Sequence, residues 1–128
     1  MCSARTLPQI NGYTVYHHQR QEGRRAAGGV VTAVKTGIDS EKIEINTSYE
    51  AIAIKIGPPL CVNIVNVYLP PSEKVSGEEL SELMSQIDKP LVLVGDFNAH
   101  HPLWGSKVTS SRGQMIVEFV EQSDLFVL

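Results

Sequence analysis

Residues 91–106, Leu-Val-Leu-Val-Gly-Asp-Phe-Asn-Ala-His-His-Pro-Leu-Trp-Gly-Ser (LVLVGDFNAHHPLWGS), decide how this chain folds. Leu91 to Val94 is a short run that is apolar on both faces, bounded by Pro90 and by Gly95-Asp96. That pattern predicts a strand covered by helices on both sides, leading into a polar loop. Upstream, Ser76-Gly77-Glu78-Glu79 has the form of a capping box, and Leu80, Leu83, Met84 and Ile87 follow at helical spacing. The spacing predicts a helix over 77–88, ended by Pro90. Before it, Cys61 to Leu69 (CVNIVNVYL) reads as the longest strand, with Val62, Ile64, Asn66 and Tyr68 on one face and Pro70-Pro71 as its stop. Downstream, Ser111-Arg112-Gly113-Gln114 reads as a second capping box. Met115, Ile116, Phe119 and Val120 give the next helix its buried stripe, and Leu125 to Leu128 reads as a further strand.

Strand, helix, strand, helix, strand is the order of right-handed crossovers, which set successive strands parallel. Ligands of such sheets gather at the carboxyl ends of the strands. Tyr68 closes one strand, and Asp96 and Asn98 follow directly on the next, so one crossover should bring all three to the same rim. The first half adds strand candidates at Tyr13–His17, at Val30–Val34 after Gly28-Gly29, and at Ala51–Ile56, where three isoleucines share a face.

Composition limits the choices. A chain of 128 residues with 42% hydrophobic and 20% charged residues fits one globular domain. A net charge of -3 argues against a tail-driven nucleic-acid binder, though it leaves nucleic acid open as a substrate. The densest positive patch runs from His17 to Arg25; Arg20, Arg24 and Arg25 are either a solvated loop or contacts to phosphate. Cys2 and Cys61 form no disulfide or zinc pattern, and Asn46-Thr47-Ser48 matches a glycosylation triplet that also arises by chance. No window reaches membrane-spanning length, and nothing at the start of the chain resembles a signal peptide. A soluble intracellular protein is the expectation.

Asp96 is either a hydrogen-bonded turn residue or a carboxylate that holds a cation. Asn98 two positions on shifts the balance to the second, because an amide beside a carboxylate can orient water or phosphate. Tyr68 on the same rim can donate to a phosphoryl oxygen as charge develops there, or can simply be half buried at the strand end. His100 and His101 are adjacent and point apart, so they do not form a zinc pair. Trp104 reads as a loop anchor in preference to a base-stacking platform.

VNIVNVYLPPS (62–72), VGDFNAHHPLWGS (94–106) and SRGQMIVEFVEQSDLFVL (111–128) together resemble the endonuclease/exonuclease/phosphatase family. Within it the sequence is most similar to the apurinic-type endonuclease domain of non-LTR retrotransposons, and INGYTVYHH (10–18) and AAGGVVTAVK (26–35) fit that branch. The resemblance implies an α/β fold, a DNase I-like four-layer sandwich of two packed sheets with helices outside, of which residues 1–128 form only a central part. It implies Mg²⁺-dependent phosphodiester hydrolysis, with Mn²⁺ as an alternative ion. It further implies a DNA substrate, nicked in the nucleus to prime a reverse transcriptase on the same polyprotein. By motif, Tyr68 resembles the tyrosine at the scissile phosphate, Asp96 the acid that orients or deprotonates water, and Asn98 the amide on the phosphate. His101 matches a supporting histidine. Arg20, Arg24, Arg25, Asn66 and Trp104 become candidate nucleic-acid contacts.

The pattern also breaks. The family's metal-binding glutamate and first-strand asparagine precede the segment that resembles residues 6–18, and here the first glutamate is Glu22 and the first asparagine Asn11. No Asp-His pair follows His101. No metal ligand is therefore assigned in this chain, which is expected not to cleave DNA by itself and, with sheet edges left open, to be marginally stable. Two other readings stand beside this one. A domesticated remnant would bind nucleic acid or a partner without catalysis. A calcineurin-like metallophosphatase would need an Asp-x-His and a Gly-Asn-His, neither of which is present.

Overall fold

The computed structural model describes residues 9–18 and 29–128. Its strands are β1 (Tyr13–His18), β2 (Val30–Lys35), β3 (Ser40–Ile43), β4 (Glu50–Ile56), β5 (Val62–Tyr68) and β6 (Leu91–Asp96). The helices are α1 (Gly77–Ser85) and α2 (Ser111–Gln122), with a short 3-10 turn at Pro102–Trp104. β1 and β2 pair antiparallel, and the other four strands form one sheet in the order β3-β4-β5-β6. β5 and β6 are parallel, as the crossover through α1 requires.

The four-stranded sheet has two covered faces. Ala51, Ala53, Val65, Val67 and Leu69 face the helices, where they pack with Leu80, Leu83, Met84, Ile87, Ile116 and Phe119. Ile52, Ile54 and Ile56 face the other way and pack with Val30 and Val34 of β2, with Val62, Ile64 and Tyr68 at the margin. The shared face expected for the isoleucines is therefore the inter-sheet face, and among the described residues the two sheets pack together with helices outside the four-stranded one. Asn66 stitches the sheets together by donating to the Val31 carbonyl at 3.1 Å and the Thr32 hydroxyl at 3.2 Å.

Both helices begin on serine hydroxyls. Ser76 accepts from the Glu79 N–H at 3.1 Å, as its sequence predicts. The Ser76 N–H in turn donates to the Tyr49 phenol at 3.3 Å. Burial, and then the Glu79 carboxylate, push that phenol's pKa above its ordinary value of 10.0, so it stays neutral.

Four expectations need correction, and one strand was not foreseen. The second N-cap is Ser110, not Ser111; its hydroxyl accepts from the Gly113 N–H at 3.0 Å, so the capping motif starts one residue earlier. α1 ends at Ser85, because Gln86 turns away to exchange two hydrogen bonds with the Asn46 backbone at 2.7 and 2.8 Å. β6 is not covered on both sides: β1 and β2 lie over β4 and β5, which leaves Val92 38% and Val94 41% exposed. Residues 125–128 are not a strand. Asp124 has a φ of 56° and turns the chain at the end of α2, and residues 125–128 pair with no described strand, so β6 remains the edge of its sheet among the described residues. β3 was not foreseen, since Ser40-Glu41-Lys42-Ile43 carries little apolar signal.

Candidate functional site

The rim that the sequence pointed to is real in the backbone. Tyr68 and Asp96 are direct partners in the β5–β6 ladder. Paired residues of neighbouring strands share a face at a strand spacing of about 4.8 Å, so both side chains leave the sheet on its inter-sheet side. Tyr68 is half buried and Asp96 exposed. No other side chain among the described residues holds the Tyr68 hydroxyl, which leaves it able to donate outward.

Backbone shape brings Asn98 to the same place. Its φ of 47° is left-handed, a region that asparagine tolerates better than most residues. The Asn98 N–H donates to the Asp96 carboxylate at 3.0 Å, closing a tight turn. Its side-chain amide donates to the Leu69 carbonyl at 2.9 Å, reaching across to the residue after Tyr68. The second amide hydrogen and Oδ1 remain for a ligand. Just before this turn Gly95 allows β6 its close approach to β5: its φ is 147°, and an added Cβ would sit 1.8 Å from the Val67 carbonyl oxygen.

His101 and Trp104 shape the loop that follows. His101 Nδ1 accepts from the Leu103 N–H at 3.1 Å and caps the 3-10 turn, and its ring lies 5.3 Å from that of Trp104. Trp104 is half buried against the helix-side core and donates from Nε1 to the Ala99 carbonyl at 3.0 Å. The histidine thus orders its loop, and the tryptophan anchors it. Asn66 lies one pleat behind Tyr68 with its amide engaged between the sheets. Arg20, Arg24 and Arg25 lie outside the described residues.

Two residues of this region were missed in the sequence. Glu50 pairs with Tyr68 on its other side, so Glu50, Tyr68 and Asp96 form one row across β4, β5 and β6. At 7% exposure Glu50 is the buried charged residue among those described. Its signal was its parity with Ile52 and Ile54, one step before the stretch recognised as alternating. Arg112 is the second. Its guanidinium donates to the carbonyls of Leu69 at 3.1 Å, Phe97 at 3.2 Å and Pro70 at 2.9 Å, and also to that of Glu73. A cation in the first turn of a helix opposes the helix dipole, and that misplacement was the signal.

A groove of about 730 Å³ opens beside Asn98 and Arg112, lined also by Lys74, Ser76, Glu79 and Ser110. Among the described residues, no three His, Cys, Asp or Glu side chains gather as a metal site. No helix among them is long and apolar enough to cross a membrane.

Residues 62–128 match the model of the endonuclease-reverse transcriptase family, and the chain belongs to that family. The RNA-directed DNA polymerase from mobile element jockey of Drosophila melanogaster is 27% identical over 124 residues, covering 93% of this chain. Its counterpart in Drosophila funebris is 31% identical over 125 residues, again covering 93% of this chain. The chain spans only 13% of the length of each of these relatives. The fold matches the endonuclease domain of TRAS1, a telomere-specific non-LTR retrotransposon, with a TM-score of 0.76 at 22% identity. That match covers 93% of this chain and 56% of the TRAS1 chain, and it shows a DNase I-like α/β fold.

Proposed function

We propose that this chain forms the phosphate-facing wall of a DNA-nicking endonuclease within a retrotransposon polyprotein that also carries a reverse transcriptase. The observation that supports it best is the register of Tyr68 beside Asp96, with Asn98 tied to the Leu69 carbonyl at 2.9 Å. A phenol, a carboxylate and an amide then converge on one rim of a parallel strand pair. Tyr68 donates to a non-bridging phosphoryl oxygen as charge grows there. Asp96, its backbone turn already closed by Asn98, orients a water molecule and accepts its proton. Asn98 holds the phosphate with the amide hydrogen it does not give to Leu69. The similarity to RNA-directed DNA polymerases of mobile elements supports a priming role for the nick.

Mg²⁺ belongs to this reading through the family, where it would neutralise phosphate charge. The described side chains do not assemble a site for it: Asp96 and Glu50 are separated by Tyr68, and no third ligand joins them. The reading therefore assigns the ion's main ligands, and the activating histidine, to other parts of the domain. We propose accordingly that the 128-residue chain by itself does not nick DNA. Supercoiled plasmid, incubated with Mg²⁺ and either this chain or the longer endonuclease region that contains it, tests both statements. Relaxed circles from the longer region alone agree with the reading. Salt-sensitive plasmid binding by both proteins, with no nicking by either, would replace it with a non-catalytic binding role.

A further inference from the structure

Arg112 does something that the capping of α2 does not require. Ser110 already caps that helix, and the Arg112 side chain leaves the helix to reach carbonyls of two other segments. Leu69 follows Tyr68, and Phe97 lies between Asp96 and Asn98. One guanidinium nitrogen, Nη1, bonds both of these carbonyls, and Nη2 continues along the same loop to Pro70 and Glu73. The Leu69 carbonyl also accepts the Asn98 amide. Arg112 and Asn98 thus meet on one oxygen.

The surrounding backbone is fitted to this junction. The His100 N–H donates to the Ser110 hydroxyl at 3.0 Å, and the Ser110 N–H donates to the His100 carbonyl at 2.9 Å. A Cβ on Gly113 would stand 2.0 Å from the His100 carbonyl oxygen, so the helix start is pressed against the 97–101 loop. A lysine could not replace this arrangement, because a point ammonium lacks the planar fork that spans several acceptors at once.

We propose that Arg112 is a positioning residue that sets the spacing between the Tyr68 loop and the Asp96–Asn98 loop and aims the Asn98 amide at the substrate phosphate. The proposal rests on the endonuclease reading for its final clause only. Arg112 touches no substrate in this account. It acts through the Leu69 and Phe97 carbonyls, and its loss misplaces Asn98 relative to Tyr68.

The direct test is the side-chain amide resonance of Asn98 in the longer endonuclease region that contains this chain, assigned by its disappearance in Asn98→Asp. In Arg112→Lys that resonance shifts and loses its protection from exchange, while core resonances of Leu80 and Phe119 stay in place. The endonuclease region carrying Arg112→Lys nicks plasmid about 100-fold more slowly in kcat with KM unchanged, the scale expected for misplaced reacting groups. Free guanidinium restores part of the rate in Arg112→Ala. An Asn98 resonance unchanged in Arg112→Lys, alongside lowered thermal stability, would overturn the proposal and leave Arg112 a simple helix tether. A wild-type region that never nicks would instead sink the endonuclease reading, with the Asn98 resonance still deciding the clamp.

Discussion

The two faces of the four-stranded sheet are built from the same strands to opposite ends. On the helix side, Ala53, Val65, Val67, Leu69 and Leu80 are all 0% exposed, and the apolar layer runs the length of the sheet. On the inter-sheet side the apolar layer stops short. Ile52, Ile54 and Ile56 are covered by β2, and at the carboxyl end of β5 they give way to Asn66 and then to the row of Glu50, Tyr68 and Asp96. The alternation of each strand lets one residue carry the core while the next carries chemistry. The difference teaches that parity along β5 separates two environments: Val65, Val67 and Leu69 fill the helix-side core, while on the other face Asn66 ties the sheets together and Tyr68, one pleat on, opens onto the rim.

That separation predicts a graded series of substitutions. Leu80→Ala, on the closed face, should have the largest effect, about 2–5 kcal/mol lost in urea unfolding, because the cavity cannot collapse between helix and sheet. Gly95→Ala should follow, at about 1–3 kcal/mol, since the new Cβ meets the Val67 carbonyl and the backbone is strained. It should also lower hydrogen-exchange protection in β5 and β6 before the rest of the sheet. Asn66→Ala, which removes two inter-sheet hydrogen bonds, should cost about 1 kcal/mol by the same denaturation. Tyr68→Phe should change stability least, within about 0.5 kcal/mol, while slowing nicking by the endonuclease region more than any of the others. A Tyr68→Phe protein that is badly destabilised, or one that nicks normally, would break the comparison.

Much of this architecture was legible before any coordinates. Period-two and helical spacings located five of the six strands and both helices, and Pro70, Pro71 and Pro90 bounded them. The shared rim of Tyr68, Asp96 and Asn98 followed from a single crossover. What escaped had local physical causes. β3 is short and polar, and it is held by pairing with β4, which no local pattern announces. Residues 125–128 look like a strand, but the turn at Asp124 leads them away without laying them along the open edge of β6. Val92 and Val94 read as buried because apolarity on both faces was equated with two covers, whereas β1 and β2 reach only to β5. Arg112 was read as part of a helix start, since only tertiary structure shows four carbonyls converging on its side chain. Glu50 was passed over because an acid beside an apolar run looks like a boundary.

The central claim is that the paired ends of β5 and β6 form the reacting rim. Its most direct test is plasmid nicking by the endonuclease region with Asp96→Asn, measured beside its thermal unfolding. Asp96 is exposed, and asparagine keeps an oxygen able to accept the Asn98 N–H, so the melting temperature should stay at the wild-type value while nicking is lost. Nicking at the wild-type rate by a folded Asp96→Asn protein would contradict the account.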